Sequence, residues 1–306
     1  MSRGFPLAEP LTVQELTSRV NESMIELQGD PATVVTCVAD FPGVDGALAF
    51  LRLRPDAAQQ AATSPAAVIV AATPLDRPHG AVIQAADPMR WFIKALGALG
   101  FGAMKPIRHP TAVIDPAARV ADDVAVGPYA VIEAGVVIGP GCRIGAGTYL
   151  ATGARIGSRC AVGAGSAVGV DGLAVAREDD GRMLPFPHLG GAVLEDDVAI
   201  GVRCTIMRGI LEDTVVGRGT KIGNDVTIGH NCLIGRDCWI TSGALLCGSA
   251  RVDDRAVIGA GAIVNNHVGV GANAQIGLGA VVTKTVAAST SVFGVPAVKI
   301  PTMKRF

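Results

Sequence analysis

The residue best suited to chemistry is His230, in the stretch Thr227-Ile228-Gly229-His230-Asn231. Imidazole is the side chain whose ordinary pKa lies near neutrality, so it can take a proton from an attacking amine or hydroxyl. Attack on an acyl carbonyl also needs a donor for the oxyanion that forms. Gly248 follows His230 by eighteen residues. A glycine there lets a carbonyl approach its N–H, although on spacing alone a glycine needed only for a backbone corner reads equally well. His267 lies 37 residues beyond His230. Lys284 and Lys299, close to the end of the chain, are point charges suited to phosphates, with solvated surface lysines as the alternative reading.

These residues sit in a repeat. From Ile114 an aliphatic residue falls on every sixth position through Val120, Val126, Ile132, Ile138, Ile144, Leu150, Ile156, Val162 and Val168. The beat stops around Arg177 to Pro187, resumes at Leu194, Ile200 and Ile206, slips by four residues within Met207 to Thr214, and runs on from Val216 to Val282. A period of six fits neither an amphipathic helix nor an alternating strand; it fits a solenoid in which each hexad is a short strand and a corner. Three hexads make one triangular coil, and eighteen residues bring the chain back to the same corner one coil on. Glycine often follows the aliphatic residue, as at Gly127, Gly139, Gly145, Gly163 and Gly229, and is expected there to supply the φ values of a tight corner.

The remaining sequence adds a second unit. Residues 1–105 lack the hexad; Leu11 to Val20 and Pro88 to Leu99 read as helices, and Thr33 to Val38, Ala47 to Leu51 and Ala66 to Ala71 as strands. The expected organisation is a small α/β domain at 1–105, a parallel β-helix at 106–285 with an insertion loop at 169–191, and a tail at 286–306. The insertion is too long for a hexad corner and suits a loop folded over a site, or a decorated surface. A net charge of -1 leaves no basic footprint for nucleic acid or an anionic membrane, and no apolar stretch is long enough to span a bilayer. The chain therefore reads as soluble and cytoplasmic. Seven cysteines without a CxxC pair argue against disulfides or a four-thiolate zinc site. Cys142, Cys160, Cys204, Cys232 and Cys238 each stand two residues before an aliphatic position, as small packing residues; Cys37 and Cys247 lie outside that pattern.

The hexads resemble the hexapeptide-repeat acyltransferase superfamily, and that resemblance implies a left-handed coil, a homotrimer with sites in clefts between subunits, and a thioester acyl donor. More closely, the chain resembles the UDP-3-O-acylglucosamine N-acyltransferase family in Val170-Asp171-Gly172, Arg208-Gly209-Ile210-Leu211-Glu212-Asp213-Thr214, Ile228-Gly229-His230-Asn231, Gly248, and Val264-Asn265-Asn266-His267. The likeness implies His230 as general base, Gly248 as oxyanion donor, His267 in support of the acyl-donor site, and Phe50, Asn231 and Asn266 as substrate-binding. Departures accompany it. The family's second uracil-stacking aromatic aligns with Asp56, an acidic residue before Arg-Gly is Met207, an aspartate is Gly223, and the C-terminal helices that recruit acyl carrier protein are missing. The end segments Val281-Val282-Thr283-Lys284 and Gly294-Val295-Pro296-Ala297-Val298-Lys299 resemble transferases that use coenzyme A, which implies Lys284 and Lys299 as donor-binding.

The function implied is transfer of an acyl group from acyl-CoA or acyl carrier protein to the amine of an amino sugar or nucleotide-linked sugar, with no permanently bound cofactor. O-acylation or acetylation of another small acceptor is the neighbouring alternative, and a non-catalytic scaffold the more distant one. Some β-helices of this type are zinc-dependent carbonic anhydrases, which need three converging histidines. His230 and His267 lie two coils apart, His188 is in the insertion, and His109 and His79 lie far upstream, so no metal is expected.

Overall fold

A computed structural model describes residues 4–20, 25–51, 56–102, 105–295 and 298–299. The chain divides into two compact units, Met1–Ala103 and Met104–Phe306. In the first, a six-stranded sheet is built from β1 (Phe5–Thr12), β2 (Ile25–Gln28), β3 (Val34–Val38), β4 (Ala47–Phe50), β5 (Val68–Ala71) and β6 (Ala81–Ala85), in the order β1-β3-β4-β5-β6-β2. The strands from β3 to β6 run parallel, and β1 and β2 close the edges antiparallel. Helix α1 (Val13–Val20) starts on a reciprocal cap. Thr12 N–H donates to Glu15 Oε2 at 2.7 Å and Glu15 N–H to Thr12 Oγ1 at 3.2 Å. A six-residue helix α2 (Ala57–Ala62) precedes β5, and α3 (Pro88–Ala98) begins with proline after Asp87, whose carboxylate accepts Arg90 N–H at 2.9 Å. Strands β1, β2, β6 and helix α2 are additions to the sequence expectation.

The second unit is the solenoid. Its strands are two to four residues long and, apart from an antiparallel hairpin in the insertion and the antiparallel last strand Val298–Lys299, form three parallel sheets, one per side of the coil. The first runs from Val113–Ile114 to Val281–Val282, the second from Arg119–Val120 to Gly269–Val270, and the third from Ala125–Val126 up to the chain end. Leu150 pairs with Val168, Ile228 with Leu246 and Leu246 with Val264, each eighteen residues on. The aliphatic ladder from Val126 onward is buried without exception among the positions named above. Stacking also continues beyond the expected end at 285: Val286 bridges Val270, and Ser291–Phe293 pairs with Gln275–Ile276.

The corners correct the expected role of glycine. Of the glycines that directly follow a ladder residue, only Gly169, where the insertion leaves, has a positive φ; elsewhere the left-handed residue comes two positions later, at Tyr129, Gly135, Gly141, Gly147, Arg159, Asn231, Ser249 and His267. The glycines one step past the ladder answer a different constraint, which is room. A Cβ on Gly163 would lie 2.3 Å from the carbonyl carbon and oxygen of Gly201, and one on Gly145 would lie 2.5 Å from Ala164 N. Backbone of the next coil occupies the space a side chain would need.

The position two before the ladder residue is small for a related reason: it meets the next coil's amide. Cys160 N–H donates to Cys142 Sγ at 3.3 Å, Cys204 N–H to Ser166 Oγ at 3.0 Å, and Cys238 N–H to Thr220 Oγ1 at 3.0 Å. The five patterned cysteines are buried and unbridged, and burial pushes the Cys232 thiol up to about 12. Gly163→Ala should therefore destabilise the protein by about 1–3 kcal/mol, as overpacking against immovable backbone does, measured by denaturant unfolding. Alkylation at pH 8 should label Cys37 and Cys247 ahead of the five buried thiols, which should react only on unfolding; rapid labelling of Cys232 in the native state would contradict this packing.

Candidate active site

Both irregularities of the solenoid leave from one corner, the one that follows the first sheet. Val168 pairs with Ile206 across the long insertion, and Ile206 with Ile228 across the four-residue slip, so each excess is expelled with the ladder pairing kept, the insertion leaving a bulge between Val168 and Val170. Coil by coil, this corner presents Arg208, His230, Gly248, Asn266 and Lys284, each two residues past a first-sheet ladder position. With parallel strands about 4.8 Å apart, Gly248 is the immediate neighbour of His230.

The insertion and the slip are laced together at this corner. Gly190 N–H donates to Gly209 O at 3.1 Å and Gly209 N–H to Gly191 O at 3.1 Å. A Cβ on Gly209 would fall 1.6 Å from Glu212 O, so only glycine fits there. Arg208, largely buried, donates from Nε to Gly190 O at 2.8 Å and from its terminal nitrogen to Thr152 O at 2.6 Å, and lies 3.7 Å from Asp171. One guanidinium thus ties both ends of the insertion to the preceding coil. Asp213 accepts Gly191 N–H at 2.8 Å and pairs with Arg155. The hairpin between, Val175–Arg177 with Met183–Pro185, is exposed, with its charged tip carrying an Arg182–Glu178 pair at 3.4 Å.

His230 is half-buried at this corner, outside the prism interior. Its Nδ1 lies 3.1 Å from Asn231 Oδ1. The orientation of that amide is fixed by its other partners: Oδ1 accepts Ile210 N–H at 3.0 Å, while Nδ2 donates to Glu212 O at 3.4 Å. Because Oδ1 accepts only, the neutral His230 ring carries its proton on Nδ1 and its lone pair on Nε2. Nε2 faces Gly248, where a Cβ would lie 2.5 Å away. The Gly248 N–H has no acceptor among the described residues, while its carbonyl accepts His267 N–H at 3.1 Å.

Of the residues singled out from sequence, His230, Gly248 and Asn231 come together. Asn231 is engaged inward, in a left-handed backbone conformation that asparagine tolerates, with its own N–H on Thr214 Oγ1 at 2.8 Å. His267 meets Gly248 through its backbone, and its side chain is exposed, as is Asn266. Lys284 is exposed on the same corner column, three coils from His230; Lys299 is exposed on the third sheet, paired with Val292. Pro296 and Ala297 lie outside the described residues. Phe50, in the first unit, rests against Phe92 with ring centroids 4.8 Å apart and lines an apolar cavity of about 400 Å³ with Phe5 and Phe101.

Sequence reasoning set His188 apart from His230; the structure brings them together. The two rings stand edge to face at 5.5 Å and 75°. Met207 and Gly172 adjoin the pair: a Cβ on Gly172 would lie 3.0 Å from Met207 Sδ, 3.2 Å from His188 Nε2 and 3.5 Å from His230 Cδ2. No group of three histidine, cysteine or acidic side chains converges as a metal site among the described residues.

Comparison with known proteins agrees with this architecture. Residues 117–152 and 135–169 match the model described as bacterial transferase hexapeptide (six repeats), and 225–266 match the hexapeptide repeat of succinyl-transferase. UDP-3-O-acylglucosamine N-acyltransferase of Aromatoleum aromaticum is 46% identical over 64% of this chain and 64% of its own length. The protein of the same name from Delftia acidovorans is 38% identical over 80% of this chain and 74% of its own. Among solved structures, UDP-N-acetylglucosamine acyltransferase of Francisella novicida superposes with a TM-score of 0.58 at 28% identity, covering 64% of this chain and 70% of that one. The corresponding enzyme of Campylobacter jejuni gives a TM-score of 0.58 at 23% identity over 63% and 74%, a likeness of fold alone. On its repeats and its identity to these relatives, the chain belongs to the UDP-3-O-acylglucosamine N-acyltransferase family.

Proposed function

We propose that this protein moves an acyl group from a thioester, carried on coenzyme A or acyl carrier protein, to the amine of an amino sugar or nucleotide-linked sugar, with His230 as general base. The observation that supports the reading is the contact of His230 Nδ1 with the accepting Asn231 Oδ1, which in the neutral ring leaves the lone pair on Nε2, beside a glycine whose amide N–H has no acceptor among the described residues. The names of the relatives support the class of acceptor.

The steps follow from that geometry. The amine nitrogen attacks the thioester carbon while Nε2 takes one of its protons, and the imidazolium charge is shared through Nδ1–H with the Asn231 carbonyl. The tetrahedral oxyanion takes its hydrogen bond from Gly248 N–H. Collapse breaks the carbon–sulfur bond, and Nε2–H returns the proton to the leaving thiolate. Asn231 here positions the base, His267 holds the Gly248 peptide through its backbone, and Asn266 contributes to acceptor binding. Lys284, on the same column, and Lys299 meet donor phosphates. The working assembly is a cytoplasmic homotrimer whose prisms bring a second subunit against the His230 corner; a monomeric mass in solution contradicts that assembly.

Release of thiol from acyl-CoA with a panel of amino sugars tests the base directly. His230→Ala should lower kcat by about 10²–10⁴-fold at an unchanged melting temperature, and equal thiol release by variant and wild type would remove His230 from the mechanism. Gly248→Ala places a methyl group on the imidazole. The ring can rotate away, so the variant should fold normally yet lose at least about 10²-fold in kcat; retention of full activity would mean that the Nε2–Gly248 contact plays no part.

A further inference from the structure

We propose that His188 is a second hydrogen-bond acceptor for the nucleophile, and that the His188–His230 pair selects a primary amine over a hydroxyl. The inference rests on the reading of His230 as base and adds to it the class of group the site accepts.

His188 is 7% exposed. Its Nδ1 lies 3.0 Å from the carbonyl oxygen of Phe186. A carbonyl can only accept, so in the neutral ring Nδ1 carries the proton and Nε2 presents a lone pair. That nitrogen is buried and has no hydrogen-bond partner among the described residues. A buried acceptor left without a donor is costly, and such sites are filled by a donor from water or a ligand. The nitrogen faces Gly172, which also adjoins the His230 ring edge and Met207 Sδ and leaves the space between them without a side chain. Residues 171–173 make no backbone hydrogen bond among the described residues and belong to no strand; the Asp171 side chain, 3.7 Å from Arg208, holds one end, and Gly172 beyond it can yield to a ligand.

Two acceptors of this kind match an amine. A neutral primary amine carries two N–H bonds and one lone pair. With one N–H on His230 Nε2 and the other on His188 Nε2, the lone pair is left to face the thioester carbon. As the nitrogen–carbon bond forms, the first proton passes to His230 and then to the departing thiolate as the carbon–sulfur bond breaks. The second proton stays on nitrogen as the amide N–H, still held by His188. A hydroxyl has one proton; once it engages His230, His188 remains unpaired, and the ester product has no proton to offer. His188 therefore exchanges no proton itself.

The test compares UDP-glucosamine acylated at O3 with its 2-hydroxy counterpart, using acyl-CoA as donor. Wild type should favour the amine in kcat/KM. His188→Phe keeps a ring against His230 but removes the acceptor and should shrink the amine-to-hydroxyl ratio by about tenfold or more, while His188→Gln, whose amide oxygen accepts, should keep most of it. Should His188→Phe fail to fold, His188→Asn, too short to reach, should show the same loss. An unchanged ratio in the Phe or Asn variant overturns the proposal. Failure of the base reading has a different signature, because His230→Ala would then match wild type. Calorimetric binding of the two acceptors supplies the ratio without turnover: the amine should bind His188→Phe more weakly and the hydroxyl analogue equally, and equal binding of both acceptors to wild type and variant overturns the assignment.

Discussion

The structure depends on parallel backbone pairing between coils at a separation that leaves almost no room at the corners. Each coil lies one strand spacing from the next, and where a ladder residue is followed by a corner the neighbouring backbone comes within 2.3–2.9 Å of where a Cβ would be at Gly127, Gly139, Gly145, Gly163 and Gly229. This closeness fixes the register, because a slip of one residue would put side chains into those gaps. It also fixes chemistry: whatever stands two residues past a first-sheet ladder position is held one coil from the equivalent residue. His230 beside Gly248 is the case that matters, and the same rule aligns Arg208, Asn266 and Lys284 along the edge.

A stack this regular offers an edge and little concavity. The two irregular segments supply the walls, and both leave from the corner that carries His230. Because Val168 pairs with Ile206 and Ile206 with Ile228, the extra residues cost the sheets no more than a bulge between Val168 and Val170. They are secured instead by polar ties: Arg208 to Gly190 and Thr152, Asp213 to Gly191, and Asn231 to Ile210 and Glu212. The exposed members of this set would add little as isolated surface pairs. Their effect is positional, since they set the path of a loop that lacks a core of its own.

The solenoid was legible because its period is a packing rule, with one aliphatic side chain per hexad filling the interior and one small residue meeting the next coil's amide. Glycine was misread because its commonest use, positive φ, is met at these corners by Asn231, Arg159, His267 and other glycines, whereas the glycines after the ladder are there for space. In the first unit, β1 contains two prolines and is largely exposed, and α2 is only six residues long, so neither shows the periodicity that marks an element in sequence. Gly248 was placed beside His230 by the eighteen-residue arithmetic, and the family resemblance supplied its role. His188 escaped it, because an aperiodic insertion has no register from which to predict a neighbour; the remaining signal was its place in His188-Leu189-Gly190-Gly191, just before the beat resumes at Leu194.

Asn231 shows how the regular and irregular parts meet in one side chain. As the left-handed corner residue it belongs to the repeat, and sequence resemblance pointed to it as a substrate contact. Its amide instead accepts from the slip loop at Ile210 and from the His230 ring, and donates to Glu212. A serine or glycine would satisfy the corner equally well, as Ser249 and Gly243 do at other corners, but neither could hold the imidazole and the loop at once. The tautomer of His230 is therefore set by the same bonds that fix the loop's path, so a change in that loop is felt at the base without altering a single ladder residue.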